Sequence, residues 1–339
     1  MANNILVTGG AGFIGSHTCI ALLEAGYQPI VLDNLSNSSA EVFERLRQIT
    51  ACQIPFIEGD ICDRAMLDAV LAQQDIAAVI HFAGLKAVGE SVAIPLAYYR
   101  NNVAGTLNLL EAMKAAGLKS LVFSSSATVY GDPASNPIRE DFPRSATNPY
   151  GRSKLHIEYM LEDLQQAEPD WHIACLRYFN PVGAHSSGLI GEDPSDIPNN
   201  LMPYIAQVAV GRRQALSVFG GDYPTPDGTG VRDYIHVMDL AQGHVAALRY
   251  LEKESGLLQV NLGTGRGISV LEMLAGFEVA CGHKLAHQIV ERRPGDVAAC
   301  YADPQLAADK LNWRAEYDTA QMCEDAWRWQ SNNPEGFRN

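Results

Sequence analysis

Long apolar runs are missing from this chain of 339 residues: no stretch reaches the roughly 20 apolar residues that a membrane-spanning helix needs. Basic side chains are scarce, 25 Lys and Arg against 39 Asp and Glu, for a formal net charge of −14. With no dense basic stripe, the chain lacks the phosphate-neutralising surface of a nucleic-acid binder. A few Arg side chains converging with helix N-termini would still hold a small anion such as a nucleotide. The seven cysteines, Cys19, Cys52, Cys62, Cys175, Cys281, Cys300 and Cys323, form no CxxC pair and are odd in number. Free thiols in a reducing compartment are the economical reading. Met1 leads into Ile5-Leu6-Val7 without a basic n-region. The expectation is therefore a soluble, cytoplasmic protein that binds neither nucleic acid nor membrane. No metal is expected either, because His283 and His287 stand outside any zinc motif and read as a solvent-facing pair. There is no repeat, and the one tail-like stretch is the polar end Ser331 to Asn339.

What the chain does have is alternation. Ile5-Leu6-Val7, Pro29-Ile30-Val31-Leu32, Ile54-Pro55-Phe56-Ile57, Ala77-Ala78-Val79-Ile80, Leu121-Val122-Phe123 and Ile173-Ala174-Cys175-Leu176 read as buried strands. Helix-length stretches separate them, notably Ile14 to Ala25, Arg64 to Gln73, Tyr98 to Ala116 and Lys154 to Gln166. Strands alternating with helices imply a doubly wound, mostly parallel α/β sheet of the Rossmann type. After Asn180-Pro181 the rhythm breaks. Residues 184–236 are rich in Pro, Gly and Asp, with one helical stretch from Leu201 to Val210. Val237 to Leu251 is helical again and Gln259-Val260-Asn261-Leu262 resembles a strand. The expected division is a dinucleotide-binding domain of residues 1–180 with a returning segment 237–265. Residues 181–236 and 266–339 then form a smaller mixed α/β domain for the substrate.

Glycines at 9, 12 and 15 in Gly9-Gly10-Ala11-Gly12-Phe13-Ile14-Gly15 fall directly between a strand and a helix. The first permits a tight turn, the second a close approach of backbone to pyrophosphate, and the third close helix packing. Asp33 ends the next strand, where a carboxylate accepts hydrogen bonds from an adenosine ribose and repels a 2′-phosphate. The expected cofactor is thus NAD rather than NADP. Asp60-Ile61 and Phe82-Ala83-Gly84 end two further strands, beside the adenine and the nucleotide; Asn34 joins the same set.

The reacting groups are Ser124-Ser125-Ser126 at a strand end and the YxxxK arrangement Tyr150-Gly151-Arg152-Ser153-Lys154 at a helix start. Residues four apart share a helical face, so the Lys154 ammonium sits beside the Tyr150 phenol. The expectation is that this cation and the positive nicotinamide lower a phenol pKa that begins near 10. The phenolate then takes the proton of a substrate hydroxyl, bridged by Ser126, while hydride leaves the carbon. Asn101 belongs to the same constellation. No nucleophile elbow surrounds the serines, which argues against covalent hydrolysis.

Together the glycine turn, His81 through Ser91, Ser124 through Gly131, Tyr150 through Lys154 and Arg177-Tyr178-Phe179-Asn180 resemble the UDP-glucose 4-epimerase family of extended short-chain dehydrogenases/reductases. The resemblance spans nearly the whole chain. It implies an isomerase that oxidises a UDP-hexose at carbon 4, lets the 4-keto sugar turn, and returns the hydride to the opposite face. By resemblance Lys86, Asn101, Tyr150, Lys154 and Tyr178 surround the cofactor or sugar. Asn180, Asn200, Leu201, Phe219, Arg232, Arg293 and Asp296 then grip the UDP-sugar, and Cys300 leaves room for a 2-acetamido group. A homodimer is implied, through helices near Asn101 to Ala116 and Lys154 to Gln166.

Three alternatives stay open at this stage. A 4,6-dehydratase or decarboxylase on the same scaffold needs further acid and base groups, and no acidic pair follows the serine in Ser126-Ala127-Thr128-Val129. A dehydrogenase would release NADH, and an idle dinucleotide sensor would keep Tyr150 and Lys154 without using them.

Overall fold

The Ile5-Leu6-Val7 triplet has no polar side chain to place in water, and it becomes the middle of a strand buried on both faces (Asn4–Thr8, β1). The computed structural model describes residues 3–194, 197–293 and 295–338. Around β1 lie β2 (Gln28–Asp33), β3 (Phe56–Glu58), β4 (Ile76–His81), β5 (Ser120–Ser126), β6 (His172–Tyr178) and, after a long excursion, β10 (Gly256–Leu262). Their order is β10-β6-β5-β4-β1-β2-β3, and every pairing is parallel. The chain winds outward in opposite directions from the β1/β4 boundary. In sheets wound this way, ligands usually bind beyond the carboxyl ends of the strands at that boundary. Two apolar layers, one around Val7, Ile80 and Val260 and one around Leu6, Val79 and Phe123, cover the two faces.

The remaining strands make smaller sheets. β7 (Asn180–Val182) and β13 (Ala299–Cys300) pair in parallel with β9 (Val231–His236), while β11 (Gly267–Ser269) pairs with it antiparallel. β8 (Leu216–Phe219) pairs with β12 (His287–Val290). A third apolar cluster, including Met202, Ile205, Met273, Phe277 and Met322, fills this region.

Several expected elements change shape. The strand expected at 54–57 begins only at Phe56, since Pro55 has no N–H to donate to the ladder. The first helix spans Phe13–Glu24, one residue earlier at each end than expected. The stretch Tyr98 to Ala116 is not one helix: a short helix Pro95–Tyr98 is followed by a π-helical turn Tyr99–Ala104 and then by helix Gly105–Ala115. The wide turn has a visible cause. The buried Asn102 amide is bonded sideways to the Leu85 N–H and C=O and to Ser153, fixing the backbone at that point. The helix carrying Tyr150 spans Pro149–Ala167, opened by Pro149 at its first position and by Asn148, whose side chain accepts from the Gly151 N–H. The polar end is tied down where the structure describes it; Asn339 lies outside the described residues. Asn333 donates to the Gly188 carbonyl at 2.9 Å, the Phe337 N–H donates to Asp193, and the Phe337 ring lies 4.9 Å from that of Trp329.

Candidate active site

Backbone comes first in this site. Gly9 has φ +73°, and a Cβ on it would stand 2.6 Å from the Ala83 nitrogen; a Cβ on Gly15 would stand 2.4 Å from the Gly9 carbonyl. The turn therefore closes only with glycine at both places. The following helix has Gly12 as its N-cap and no side chain capping it, so its N-terminal N–H groups are left for an anion. Phe13 and Ile14 open that helix. Asp33 fastens the turn from the neighbouring strand: one carboxylate oxygen accepts from the Ala11 N–H at 3.0 Å, the other from the Leu35 N–H and the Ser38 hydroxyl. Asn34 donates to Asp60 at 2.9 Å, and Asp60 also accepts from the Cys62 N–H beside Ile61. The Phe82 and Ala83 N–H groups both donate to the Thr8 carbonyl, drawing the Phe82-Ala83-Gly84 loop to the end of β1.

At the end of β5 the three serines divide their tasks. The Ser124 hydroxyl is hydrogen-bonded to the Tyr178 hydroxyl, and its carbonyl accepts from the Lys154 ammonium at 2.8 Å. Ser125 turns to the other face. The Ser126 hydroxyl accepts from the Thr128 N–H and hydroxyl, and its proximity to the Tyr150 phenol favours the phenolate. Lys154 is 5% exposed and lies over the Phe123 ring at 5.0 Å. Burial lowers its pKa to about 8. His81 beneath it is held near 3, chiefly by burial and then by the Lys154 charge; it is neutral, and its two ring nitrogens meet Thr8 and Thr106.

The expected lowering of the Tyr150 pKa rests on Lys154 and the positive nicotinamide together. Burial pushes the phenol up, and only the Ser126 hydroxyl opposes it. The YxxxK spacing puts both side chains on one face, and the protein's own contribution from Lys154 goes to the Ser124 carbonyl.

Asn101 donates to the side chain of Asn102, the buried amide that ties the loop after Phe82 to the helix of Tyr150. Lys86 is paired with Glu192 at 3.0 Å, and Asn200 donates to the same carboxylate oxygen at 2.9 Å. Asn200 is the N-cap of helix Leu201–Ala209 but does not cap it, because its amide is turned to Glu192. On the sheet of β9, Cys300 lies opposite Arg232 in register. The Arg232 guanidinium donates to the carbonyls of Val231 and Val297. Burial pushes the Cys300 thiol up to about 11, so it stays protonated. Arg293 lies over the Phe219 ring at 4.8 Å and donates to Asp296 at 3.2 Å, which brings three expected residues into one cluster. Asn180 pairs through its backbone with Tyr234.

Glu192, Thr128 and Asn102 were not among the expected site residues. Only Thr128 had a local signal, as a second hydroxyl two residues beyond Ser126.

Residues 6–326 match the family described as GDP-mannose 4,6 dehydratase. The UDP-glucose 4-epimerase of Bacillus subtilis (strain 168) is 60% identical over 334 residues, covering 98% of each chain. The chain belongs to the UDP-glucose 4-epimerase family. A solved member of that family, from Bifidobacterium longum in complex with NAD+ and UDP, superposes with TM-score 0.95 at 54% identity, covering 98% of this chain and 99% of that one. A more distant family structure, the UDP-Glc/GlcNAc 4-epimerase of Campylobacter jejuni, has TM-score 0.85 at 36% identity over 97% and 99% of the two chains.

Proposed function

We propose that this enzyme interconverts UDP-glucose and UDP-galactose by reversible oxidation at sugar carbon 4, through a 4-keto intermediate. The observation that carries the mechanism is the arrangement at the end of β5, where the Ser126 hydroxyl near Tyr150 favours its phenolate and Lys154 is bonded to the adjacent Ser124 carbonyl. NAD is the cofactor, and when bound it accepts the hydride from sugar carbon 4 and returns it. The residues present fit it: the Gly9/Gly15 cradle that a Cβ would fill, the uncapped helix after Gly12, and Asp33 at the end of β2. Asp60, Ile61, Phe82, Ala83 and Gly84 line the nucleotide, and Tyr178 and Ser124 hold its reactive end. Tyr150 takes the proton of the 4-hydroxyl and gives it back, with Ser126 bridging the same oxygen. Burial leaves the phenol too weak an acid by itself, so deprotonation depends on positive charge in the completed site.

Residues 181–236 and 266–339 bind the UDP-sugar, against residues 1–180 and 237–265. Arg232 and Arg293 neutralise the diphosphate, and Asn180, Leu201, Phe219 and Asp296 hold the rest. Binding energy placed on UDP leaves the sugar free to turn between the two hydride transfers. A broader substrate range, including UDP-GlcNAc and UDP-GalNAc, is favoured by the small Cys300 side chain and by Asn200 drawn back to Glu192. The family name of the 4,6-dehydratase does not carry over to the chemistry, since no acidic pair follows Ser126. Val92 and Leu96, 65% and 79% exposed, together with Leu107 and Tyr159, leave an apolar surface on the helices around 88–115 and 149–167 that suits a homodimer. All seven cysteines are unpaired, which suits the cytoplasm.

Purified protein incubated with UDP-galactose and no added NAD is expected to produce UDP-glucose, followed by NMR, with no accumulation of NADH. Accumulated NADH, or no conversion even after NAD is supplied, would reject the proposal.

A further inference from the structure

Positions 150, 154, 158 and 162 recur every four residues and so form one stripe of helix Pro149–Ala167, bearing Tyr, Lys, Glu and Glu. The first two residues belong to the reacting centre. The third, Glu158, is fully enclosed at 0% exposure, and its hydrogen-bond partners do not include Tyr150, Lys154, Ser124 or Ser126. Its carboxylate receives a bidentate guanidinium, Arg177 Nε at 2.9 Å and Nη2 at 2.8 Å, with Arg177 itself 1% exposed. It also accepts from the Ser125 hydroxyl at 2.6 Å and from Arg144 at 3.2 Å. Arg177 Nη1 continues to the Tyr130 hydroxyl at 3.0 Å, and Tyr130 donates to Asn261 of β10 at 2.7 Å.

The central arms of this network end next to a residue of the reacting centre. Ser125 lies between Ser124 and Ser126, Arg177 precedes Tyr178, and Tyr130 follows Thr128 by two. Successive strand residues face opposite sides of a sheet, so Ser125 and Arg177 turn to the helix while Ser124 and Tyr178 meet on the other side. A buried ion pair rarely stabilises a fold more than apolar side chains of the same volume would, because desolvation offsets the attraction. What it adds is geometry, since a bidentate pair tolerates neither rotation nor sliding.

We propose, building on the roles of Tyr150 and Lys154 given above, that Glu158 and Arg177 are positioning residues. Their buried pair sets the rotation and height of the helix against β5 and β6, and with it the placement of Tyr150 and Lys154 on Ser126 and Ser124. Neither residue touches substrate. The UDP-gripping residues lie on other elements, so disturbing the clamp slows chemistry and leaves UDP-sugar binding alone.

The test uses Glu158→Gln, which keeps the shape and loses the charge, and the double variant Glu158→Met/Arg177→Met, which leaves no buried charge unpaired should the single variant fail to fold. Steady-state turnover of UDP-galactose is normalised to the UDP-binding sites found by titration, so that a misfolded fraction does not count as slow chemistry. The expected result is kcat per site lowered by about tenfold to a hundredfold, the scale of a small misplacement of reacting groups, with KM and UDP stoichiometry within about twofold of wild type. Folded double variant with kcat per site within about twofold of wild type overturns the proposal, as does a parallel loss in kcat and UDP affinity. Tyr150→Phe measured alongside separates two failures: a fully active Tyr150→Phe removes the proposed mechanism itself, whereas an inactive Tyr150→Phe beside an active double variant removes only the clamp.

Discussion

The two halves of the candidate site are built differently. On the cofactor side, the glycine turn, Asp33 and the end of β5 are joined by short bonds among buried groups, and most belong to one contiguous sheet. On the sugar side, the exposed Lys86 and Asn200 converge from separate loops on the mostly buried Glu192, and Arg232, Cys300, Phe219 and Arg293 come from four more segments. Bonds enclosed in a packed sheet have no alternative partners, so that side is rigid. Exposed polar contacts exchange readily with water and ligand. On the proposed reading, the chemistry is held by the rigid part and selection among sugars by the part that can rearrange.

That contrast can be broken most forcibly at Tyr150. Tyr150→Phe removes the proposed proton acceptor and is expected to lower kcat by about a thousandfold while leaving KM near wild type, within the range a general base contributes. A comparable fall in UDP affinity, read by titration, would show that the two sides are not independent. Next in size is Gly15→Val, whose added carbons must displace the Gly9 carbonyl. Overpacking of this kind costs about 1–3 kcal/mol, and the purified variant is expected to lose its NAD, read as the absorbance of released nucleotide. Full NAD content would mean that the turn is more compliant than its contacts indicate.

On the sugar side effects are smaller and selective. Cys300→Tyr is expected to reduce kcat/KM for UDP-GalNAc by about tenfold or more relative to UDP-galactose, the discrimination a filled pocket can reach. Comparable rates for both substrates in the variant would sink the role of Cys300.

Lys154 sharpens the comparison through pH. Its folded pKa is about 8, against about 10.4 for an unfolded lysine, so below pH 8 the buried charge is a cost fully present. Between those values the unfolded chain holds the proton and the folded chain does not, and stability rises with pH; above both, the cost is gone. Relative to wild type, the NAD-free Lys154→Met protein should therefore gain up to about 3 kcal/mol more below pH 8 than above pH 10.4. Denaturant melts across that window that run parallel for the two proteins would contradict this.

The same division explains what could be read from the chain. The glycine turn, Tyr150 and Lys154 announce themselves because their chemistry depends on spacing within a few residues, and the parallel sheet follows from apolar runs that alternate with helices. Glu192 has no such signature: its partner Lys86 is 106 positions away, and a carboxylate in a loop is ordinarily a solvated one. Asn102 carries no signature beside Asn101, since adjacent amides look alike in sequence and only the structure shows one of them buried.

The central claim is that hydride leaves carbon 4 of the sugar and comes back to it without leaving the site. UDP-galactose carrying deuterium at carbon 4 tests it directly, with the product examined by NMR and mass spectrometry after turnover in ordinary water. The account predicts UDP-glucose that retains the deuterium at carbon 4. Product in which that deuterium has been replaced by solvent hydrogen would contradict it, because inversion would then proceed by proton exchange at carbon and not by hydride return.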